Sequence, residues 1–166
     1  QAKISIKDIN YIICGHGPGS FTGIRVACSV AQGIASANQI SIIPVNSLEC
    51  LAHQAFSASK QTTAWPIMDA RMKGVYSAIY TINNESMLES KPSAALTYQT
   101  AIEQMPADFI AIGSGWNLAE FKQLLTAQPI DTAPLTAQSL LQLGMKKIKD
   151  ALPAEKFAPL YLRKPV

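Results

Sequence analysis

The residues that are the clearest candidates for binding a ligand are glycines that precede an apolar helix. Gly17 and Gly19 flank Pro18, and Ser20 follows as a candidate N-terminal cap of that helix. A glycine-rich turn at a helix N-terminus presents backbone N–H groups and the positive end of the helix dipole to an anion. The run therefore predicts either an anion or nucleotide contact at the two glycines, or a tight turn that only reverses the chain.

The two nucleotide-binding motifs that are built on glycine-rich turns do not fit this run. A Walker loop ends in Gly-Lys-Ser/Thr, and Gly23-Ile24-Arg25 stands at that place. The Rossmann motif needs a third glycine where Ser20 lies and an acidic residue about twenty positions later. The nearest candidate acid, Glu49, is too far along the chain. Nucleotide binding by this loop alone is therefore not the favoured interpretation.

Asp69 and Arg71 form a second candidate contact for an anion or nucleotide. They fall in a turn between two predicted strands. The alternative is that the two side chains pair with each other and with the backbone N–H groups of the turn. We favour this structural interpretation.

Neither a metal site nor a serine nucleophile is predicted. The two histidines, His16 and His53, are far apart in the sequence, and neither has a cysteine or aspartate at ligand spacing. We expect His16 to contact backbone or water, and His53 to lie at the surface or in a satisfied core position. Ser20 lacks the Gly-x-Ser-x-Gly context of a hydrolase nucleophile.

The composition is apolar for a soluble domain. The 166 residues are 48% hydrophobic and 15% charged, against about 25% charged in typical soluble domains. This deficit of charge suggests that a partner covers part of the surface. With a net charge of +3 and no basic cluster longer than Lys146-Lys147-Ile148-Lys149, the chain is not predicted to bind nucleic acid on its own.

The cysteines and the apolar runs predict a cytoplasmic protein. Three cysteines without Cys-x-x-Cys spacing indicate buried thiols in a reducing compartment. No apolar run reaches the roughly 20 residues that span a bilayer, and no signal peptide is recognised. Because the chain begins with Gln1, we expect it to start inside a longer protein.

The elements that would position these residues alternate between strand and helix. Apolar strands at 11–14 and 40–45 are each followed by a helix, at 20–37 and about 48–58, which predicts a parallel sheet covered by helices. A polar linker at 57–63 predicts a lobe boundary. We therefore expect a first α/β lobe at 1–60 and a second at 61–166, whose last helix returns to the first lobe in an alternative arrangement.

The second half of the chain predicts a hairpin followed by helices. The segment around 87–96 reads as either a third strand or a loop. The other predicted elements are strands at 64–68, 75–82 and 109–112, helices at 100–105, 118–127 and 136–150, and an extended end at 159–163. We expect Leu140, Leu141, Leu143, Met145 and Ile148 to form the buried side of the last helix.

The helix at 20–37 carries the strongest signal for a protein interface. Small residues recur at every fourth position and predict a ridge that another helix can approach closely. A helix that is apolar on nearly all sides is buried on nearly all sides, and a small lobe cannot supply all of that burial. The predicted interface residues are Ser20, Phe21, Thr22, Gly23, Ile24, Val26, Ala27, Val30, Ala31 and Ile34, and the ridge is Gly23, Ala27, Ala31 and Ala35.

Motifs along the whole chain resemble those of the bacterial TsaB (YeaZ) family, in the same order. They are Gly-Pro-Gly-Ser-Phe-Thr-Gly-Ile-Arg at 17–25, Ala-Gln-Gly at 31–33, Val-Asn-Ser-Leu at 45–48, Asp-Ala-Arg-Met at 69–72 with Val75-Tyr76, Gly-Ser-Gly-Trp at 113–116 and Pro-Leu-Tyr-Leu-Arg at 159–163.

The resemblance implies a fold and a function. The fold is the two-lobed α/β fold of the actin-like/Hsp70-like (ASKHA) class. The function is that of a non-catalytic partner of TsaD, which acts with the ATPase TsaE to form N6-threonylcarbamoyladenosine at position 37 of tRNAs that read codons starting with A. The helix at 20–37 would lie in the interface with TsaD, and free members use the same surface for homodimers.

The resemblance also implies what this chain would lack. Family members open with further strands and a helix that precede Gln1, so the first lobe is expected to be incomplete in this stretch. The chain alone would bind no cofactor, since ATP, Mg²⁺ and a metal are implied only for the complex, and tRNA would be reached only through it. Two alternatives stay open: an actin-like ATP-binding phosphotransferase that uses the glycine turn and Asp69, and a glycoprotease-type peptidase.

Overall fold

The fold is described from a computed structural model, which covers residues 4–83, 86–125 and 135–163. The strands are β1 (Tyr11–Gly17), β2 (Ser41–Asn46), β3 (Thr63–Asp69), β4 (Gly74–Asn83), β5 (Ser86–Thr97) and β6 (Ile110–Ile112). The helices are α1 (Phe21–Asn38), α2 (Ser47–Ala58), α3 (Tyr98–Glu103), α4 (Ala119–Lys122) and α5 (Ala137–Met145). The mixture of strands and helices confirms an α/β fold.

The chain divides into two compact units, and the division differs from the expected boundary near residue 60. The described residues of Gln1–Asn46 and Thr136–Leu160 form unit 1, and those of Ser47–Leu135 and Tyr161–Val166 form unit 2. Helix α2 therefore groups with the second unit, because it packs on β3, β4 and β6. Helix α5 groups with the first, because it packs on β1 and β2.

Unit 1 is built on a parallel pair of strands. Strands β1 and β2 pair in register from Tyr11 opposite Ser41 to Gly17 opposite Asn46, with a bulge before Gly17. β-Branched isoleucines in both strands favour this extended pairing. The core of unit 1 lies between this pair and α1, and its buried members are Cys14, Cys28, Ala31, Ala35, Ile42 and Phe157.

The glycine-rich run is more extended than the predicted turn. Gly15 and His16 belong to β1, so the strand runs three residues past the predicted end at Cys14. Of the glycines in the run, Gly17 is the one with a positive φ, of 119°. The chain therefore turns only between Gly17 and Ser20, directly before α1.

Helix α5 is shorter than the predicted helix at 136–150. Thr136 caps it by accepting a hydrogen bond from the backbone N–H of Ser139, and the helix ends at Met145. Its buried side is Ser139, Leu143 and Gly144, and Leu140 is half-buried. The prediction that Leu141, Met145 and Ile148 are buried is wrong, because all three are exposed. Gly144 makes this packing close, since a Cβ there would lie 2.5 Å from a methyl carbon of Ile13.

Unit 2 is a four-stranded sheet in the order β5-β4-β3-β6. Strands β3, β4 and β5 form an antiparallel meander, and β6 adds to β3 in parallel. The predicted hairpin of 64–68 with 75–82 is confirmed, and the segment around 87–96 is a strand. Helix α3 starts two residues before its predicted position. The predicted helix at 118–127 is only the one turn of α4, and residues 126 and 127 lie outside the described part of the chain.

An aromatic cluster fills one side of the unit 2 sheet. Trp65 contacts Trp116 and Phe109 edge-on, with ring centroids 5.2 and 5.1 Å apart. Both indole N–H groups are satisfied, since Trp65 donates to the Ser77 hydroxyl and Trp116 donates to the Trp65 carbonyl. The cluster therefore buries large apolar area without leaving an indole donor unpaired.

Gly113 allows β6 to turn under this cluster. Its φ is 104°, a conformation that residues with a Cβ rarely adopt. A Cβ on Gly113 would lie 2.4 Å from the carbonyl oxygen of Ile67. Both the backbone conformation and the space therefore require glycine at this position.

Candidate functional site: the outer face of helix α1

Helix α1 is fixed at both ends by local hydrogen bonds. The Ser20 hydroxyl accepts a hydrogen bond from the Gly23 backbone N–H at 3.4 Å and so caps the N-terminus. At the C-terminus Gln39 adopts a left-handed conformation, and its N–H donates to the Ala35 carbonyl. The Ser20 side chain is thus engaged as the N-terminal cap of α1.

The inner side of α1 packs on the sheet of unit 1. Cys28, Ala31 and Ala35 are buried, and Ala31 is only 5% exposed. The predicted ridge of small residues is therefore divided. Its first half, Gly23 and Ala27, is exposed, and its second half belongs to the core of the chain itself. Ala31 is covered by the chain itself, and its assignment to a partner interface stays a prediction.

The opposite side of α1 is an apolar surface without charge. We call it the outer face, and its exposed members are Gly23, Val26, Ala27, Val30, Gly33, Ile34 and Ala37. Spacings of three and four residues place them on one side of the helix. Among the other predicted interface residues, Phe21 and Thr22 are exposed and Ile24 is half-buried.

Two members of the outer face were not predicted from the sequence. Gly33 and Ala37 follow Val26 and Val30 at helical spacing, and that spacing is the signal that could have identified them. A Cβ on Gly33 would meet nothing within 4 Å. Glycine in a helix interior costs about 1 kcal/mol relative to alanine. Packing within the described part of the chain does not explain why glycine stands there.

The polar flank of α1 carries an exposed cation near the N-terminus of the helix. The guanidinium carbon of Arg25 lies 3.7 Å from the ring centroid of Phe21. This cation–π contact orients both side chains at the start of the helix. The charge of Arg25 therefore lies beside the apolar surface and not on it.

The C-terminal part of the chain holds α1 from its polar flank. The side-chain amide of Gln32 donates to the carbonyls of Phe157 and Ala154, at 2.8 and 3.3 Å. The ring of His16 stacks on Phe157, and its Nδ1 lies 3.3 Å from the Ala158 carbonyl. His16 therefore contacts backbone, as expected.

The thiol of Cys14 is buried against α1, where it donates to the Ala27 carbonyl at 3.8 Å, and Cys28 is buried on the same helix. Burial, followed by the neighbouring Cys28, raises the pKa of Cys14 to about 11, and burial also raises the pKa of Cys28. Cys50 in unit 2 is likewise buried, and its pKa is about 11. Cys14 and Cys50 therefore stay protonated through the pH range in which an exposed cysteine already ionises, and burial shifts the ionisation of Cys28 in the same direction.

We expect these thiols to resist alkylation in the native protein. Because the thiolate is the reactive form, iodoacetamide at mildly alkaline pH should leave the folded chain unmodified and should add three adducts in denaturant. Intact-mass spectrometry with and without urea measures this. Rapid native labelling of Cys14 or Cys28 would contradict the packing of α1 on β1.

Asp69 and Arg71 meet in the β3–β4 turn, as predicted. The Asp69 carboxylate accepts a hydrogen bond from the Arg71 N–H at 2.7 Å and pairs with its guanidinium at 3.2 Å. This is the structural interpretation favoured from the sequence. Gly17 and Gly19, the other candidate anion contacts, belong to unit 1, whereas Asp69 and Arg71 belong to unit 2.

The same turn has an unusual backbone that the sequence did not predict. Arg71, Met72 and Lys73 have φ values of 59°, 51° and 56°. Each left-handed residue that carries a Cβ costs about 1 kcal/mol or more. We call these three residues the hairpin tip.

The described residues include neither a cluster of metal ligands nor a helix that could span a membrane. Within ranges 4–83, 86–125 and 135–163, no three or more histidine, cysteine, aspartate or glutamate side chains form a group that could hold a metal ion. Across the same ranges, no helix has both the length and the apolarity needed to cross a bilayer.

Comparison with known proteins identifies relatives along the whole chain. A family model described as "TsaD: tRNA N6-adenosine threonylcarbamoyltransferase" matches residues 1–166. The TsaB protein of Buchnera aphidicola from Acyrthosiphon pisum is 31% identical over 90% of this chain and 70% of its own length. The TsaB protein of Haemophilus influenzae is 29% identical over 100% of this chain and 75% of its own length. Both carry the name "tRNA threonylcarbamoyladenosine biosynthesis protein TsaB".

Comparison with solved structures points to the same family as these relatives. A Pseudomonas aeruginosa protein described as similar to peptidase YeaZ superposes with a TM-score of 0.81 and 29% identity, over 96% of this chain and 76% of its own. A second structure, YeaZ from Pseudomonas aeruginosa, has a TM-score of 0.79 and 29% identity, over 96% of this chain and 77% of its own. The arrangement of strands and helices is therefore shared with proteins of that name.

Proposed function

From the premise that this chain belongs to the TsaB (YeaZ) family, within the group matched by the TsaD family model, we propose that it is a non-catalytic partner of a TsaD transferase. In this role it takes part in forming N6-threonylcarbamoyladenosine at position 37 of tRNAs that read codons starting with A. The names of its curated relatives support the pathway. The outer face of α1 supports the role of partner.

The outer face is the single observation that carries this proposal. It presents Val26, Val30 and Ile34, all more than 40% exposed, on one uncharged side of the helix. Full burial of such a side chain contributes about 1.5–3 kcal/mol, so covering the exposed half of each contributes roughly 1 kcal/mol. Gly23, Ala27 and Gly33 between them allow the backbone of a second helix to approach closely. The surface is therefore suited to a helix of another subunit.

The polar residues singled out from the sequence support a role without catalysis. The Ser20 hydroxyl caps α1, and Asp69 is engaged with the Arg71 side chain and N–H. The chain contains two histidines, His16 and His53, and they belong to different units. We propose that ATP, Mg²⁺ and the metal of the reaction are held by other components of the complex.

The remaining parts of the proposal concern fold class, assembly and location. The two α/β units correspond to lobes of the ASKHA class. The ATPase TsaE is a further component, and tRNA is bound only through the assembled complex. In the absence of TsaD the outer face pairs with a second copy of the protein. The location is the cytoplasm.

Reconstitution with purified components tests this function. Full-length protein, TsaD and TsaE are combined with tRNA and threonylcarbamoyl-adenylate, and the modified nucleoside is measured by mass spectrometry. We expect modification to need this protein while the protein alone gives none. Modification at the same rate without it, or turnover by it alone, would contradict the proposal. Sedimentation velocity with and without TsaD then identifies the homodimer and the heterodimer.

Replacing Gly33 with alanine should have opposite effects on stability and on assembly. The added Cβ meets open space, so the monomer should gain about 1 kcal/mol in unfolding free energy. The same methyl group would keep a partner helix away from α1, so affinity for TsaD should fall. Chemical denaturation and titration calorimetry measure the two effects. Equal or tighter binding of TsaD by this variant would place Gly33 outside the interface.

A further inference from the structure

The stretch at 152–160 is bonded to the sheet of unit 1 at both of its ends, and we call it the strap. At its start, Leu152 exchanges two backbone hydrogen bonds with Ile42 of β2, at 2.7 and 2.8 Å. At its end, the N–H of Leu160 donates to the carbonyl of His16 in β1 at 2.8 Å. Because both ends are bonded to strands, the strap has a fixed position relative to the sheet.

Between these ends the strap lies against the polar flank of α1. Phe157 is 2% exposed and packs in the core of unit 1. The side-chain amide of Gln32, in the second half of α1, donates to the carbonyls of Phe157 and Ala154 at 2.8 and 3.3 Å. Both partners are carbonyl oxygens, so the bridge needs a group that can donate two hydrogen bonds. The amide nitrogen of glutamine carries the two N–H groups that this requires.

The apolar contact between α1 and the sheet does little to fix the rotation of the helix. The buried residues of α1 are Cys28, Ala31 and Ala35, whose short side chains form only shallow ridges. Apolar burial is non-directional, so it holds the helix against the sheet without setting its orientation. Hydrogen bonds are directional. The two bonds from Gln32 to the strap therefore supply an orientation that the apolar contact lacks.

We propose that Gln32 is a positioning residue for the outer face of α1. By bonding the helix to the strap, it fixes the rotation at which Val26, Val30 and Ile34 are presented to TsaD. Neighbouring residues are about 100° apart around a helix, so even a partial rotation of α1 moves these side chains out of the orientation that a rigid partner surface matches. The inference rests on the proposed function, because TsaD is the partner that the outer face binds.

The cost of losing this orientation is a loss of affinity. When only a fraction of the molecules has the binding-competent orientation, the apparent affinity falls by that fraction. Gln32 lies on the polar flank with its amide engaged by the strap, so it acts through the position of α1 and not by contact with the partner.

Two substitutions at Gln32 in the full-length protein test this role. Gln32→Met keeps the length of the side chain but cannot donate a hydrogen bond, and Gln32→Lys keeps a donor for the two carbonyls. Ile43→Val is the control, because Ile43 is fully buried in β2 and its truncation lowers stability without removing a bond between α1 and the strap. Affinity for TsaD is measured by titration calorimetry, at a concentration where sedimentation velocity shows monomeric protein.

We expect Gln32→Met to bind TsaD about tenfold more weakly than the wild type, which corresponds to the loss of the two hydrogen bonds. Gln32→Lys should recover most of the affinity. Ile43→Val should bind like the wild type although its melting temperature falls. A role of Gln32 in stability alone would instead make the affinities of Gln32→Met and Ile43→Val equal.

The thiol of Cys28 gives a second readout that does not need TsaD. Cys28 is 1% exposed on the inner side of α1, so rotation of the helix would bring it toward solvent. Labelling by iodoacetamide, located by peptide mass spectrometry, should be severalfold faster at Cys28 in Gln32→Met than in Ile43→Val. Cys50 in unit 2 should be labelled at the wild-type rate in both variants.

The outcomes separate this inference from the proposed function. If the wild type binds TsaD and Gln32→Met binds equally well, the positioning role is wrong and the proposed function stands. If Gln32→Lys binds as weakly as Gln32→Met, the donated hydrogen bonds are not the cause and the inference is also wrong. If the wild type does not bind TsaD, the proposed function falls. Equal labelling of Cys28 in Gln32→Met and Ile43→Val would then also overturn the role of Gln32 in orienting α1.

Discussion

Replacing Val30 with aspartate should abolish the association of the full-length protein with TsaD. Val30 lies at the middle of the outer face and is 56% exposed. A carboxylate there stays hydrated in the free monomer but loses its water when a partner helix covers α1. An unpaired charge buried in an apolar interface costs several kcal/mol. We expect affinity to fall by about a hundredfold or more, as measured by titration calorimetry.

A matched substitution separates this effect from a general effect of charge. Leu88 on β5 of unit 2 is 58% exposed, nearly the same as Val30, so Leu88→Asp introduces the same charge at an exposed apolar position of the other unit. It should bind TsaD like the wild type. Both variants should remain folded, because both sites already face solvent. If Val30→Asp binds TsaD as tightly as Leu88→Asp does, the outer face is not the interface.

Replacing Gly113 with alanine should have the largest effect on stability. The new Cβ would overlap the Ile67 carbonyl, and the alanine would have to adopt the φ of 104° that Gly113 has. Backbone oxygen cannot move aside as a flexible side chain can, so β6 would have to separate from β3. The left-handed conformation and the overlap together should cost about 3–5 kcal/mol of the free energy of unfolding.

Urea denaturation followed by circular dichroism measures this loss. Gly33→Ala is the control, because it makes the same substitution where a Cβ meets open space. The two glycine variants should therefore shift the urea midpoint in opposite directions. A midpoint for Gly113→Ala within error of the wild type would show that β6 can leave its close contact with Ile67 at little cost.

Most of the strand and helix order could be predicted from hydrophobic pattern alone. Runs such as Tyr11–Cys14 and Ser41–Val45 are short and β-branched, and α1 and α2 follow residues that can cap a helix. The lengths of the strands and helices were less predictable. The glycine after Cys14 suggested a turn, but Gly15 continues in β1 because the strand pairing with β2 extends to it. The end of β1 is therefore set by its pairing with β2 and not by the local preference of glycine for turns.

The candidate helix could be predicted, but its buried side could not. Residues four apart are separated by about 400° around a helix, so a ridge with that spacing turns by about 40° at each step. From Gly23 to Ala35 the ridge therefore winds from the outer face to the core. The sequence shows the small residues, but only the position of the sheet shows which of them remain available to a partner.

The hairpin tip illustrates a different limit of sequence analysis. Arg71, Met72 and Lys73 have no intrinsic preference for positive φ, and glycine or asparagine would be expected in such a turn. Local hydrogen bonds with Asp69 and Gly74 hold this conformation, and a further one comes from Arg163, far along the chain. A pattern of nearby residues does not contain this information.

The location of the aromatic cluster has an optical consequence. The two tryptophans of the chain, Trp65 and Trp116, are both buried in unit 2. Tryptophan fluorescence excited at the red edge of the indole band therefore reports on unit 2, and unit 1 contributes no signal. A melting curve recorded in this way would miss the loss of α1 altogether. The lack of tryptophan fluorescence from unit 1 is also useful, because the substitution Ser36→Trp would give unit 1 a signal of its own.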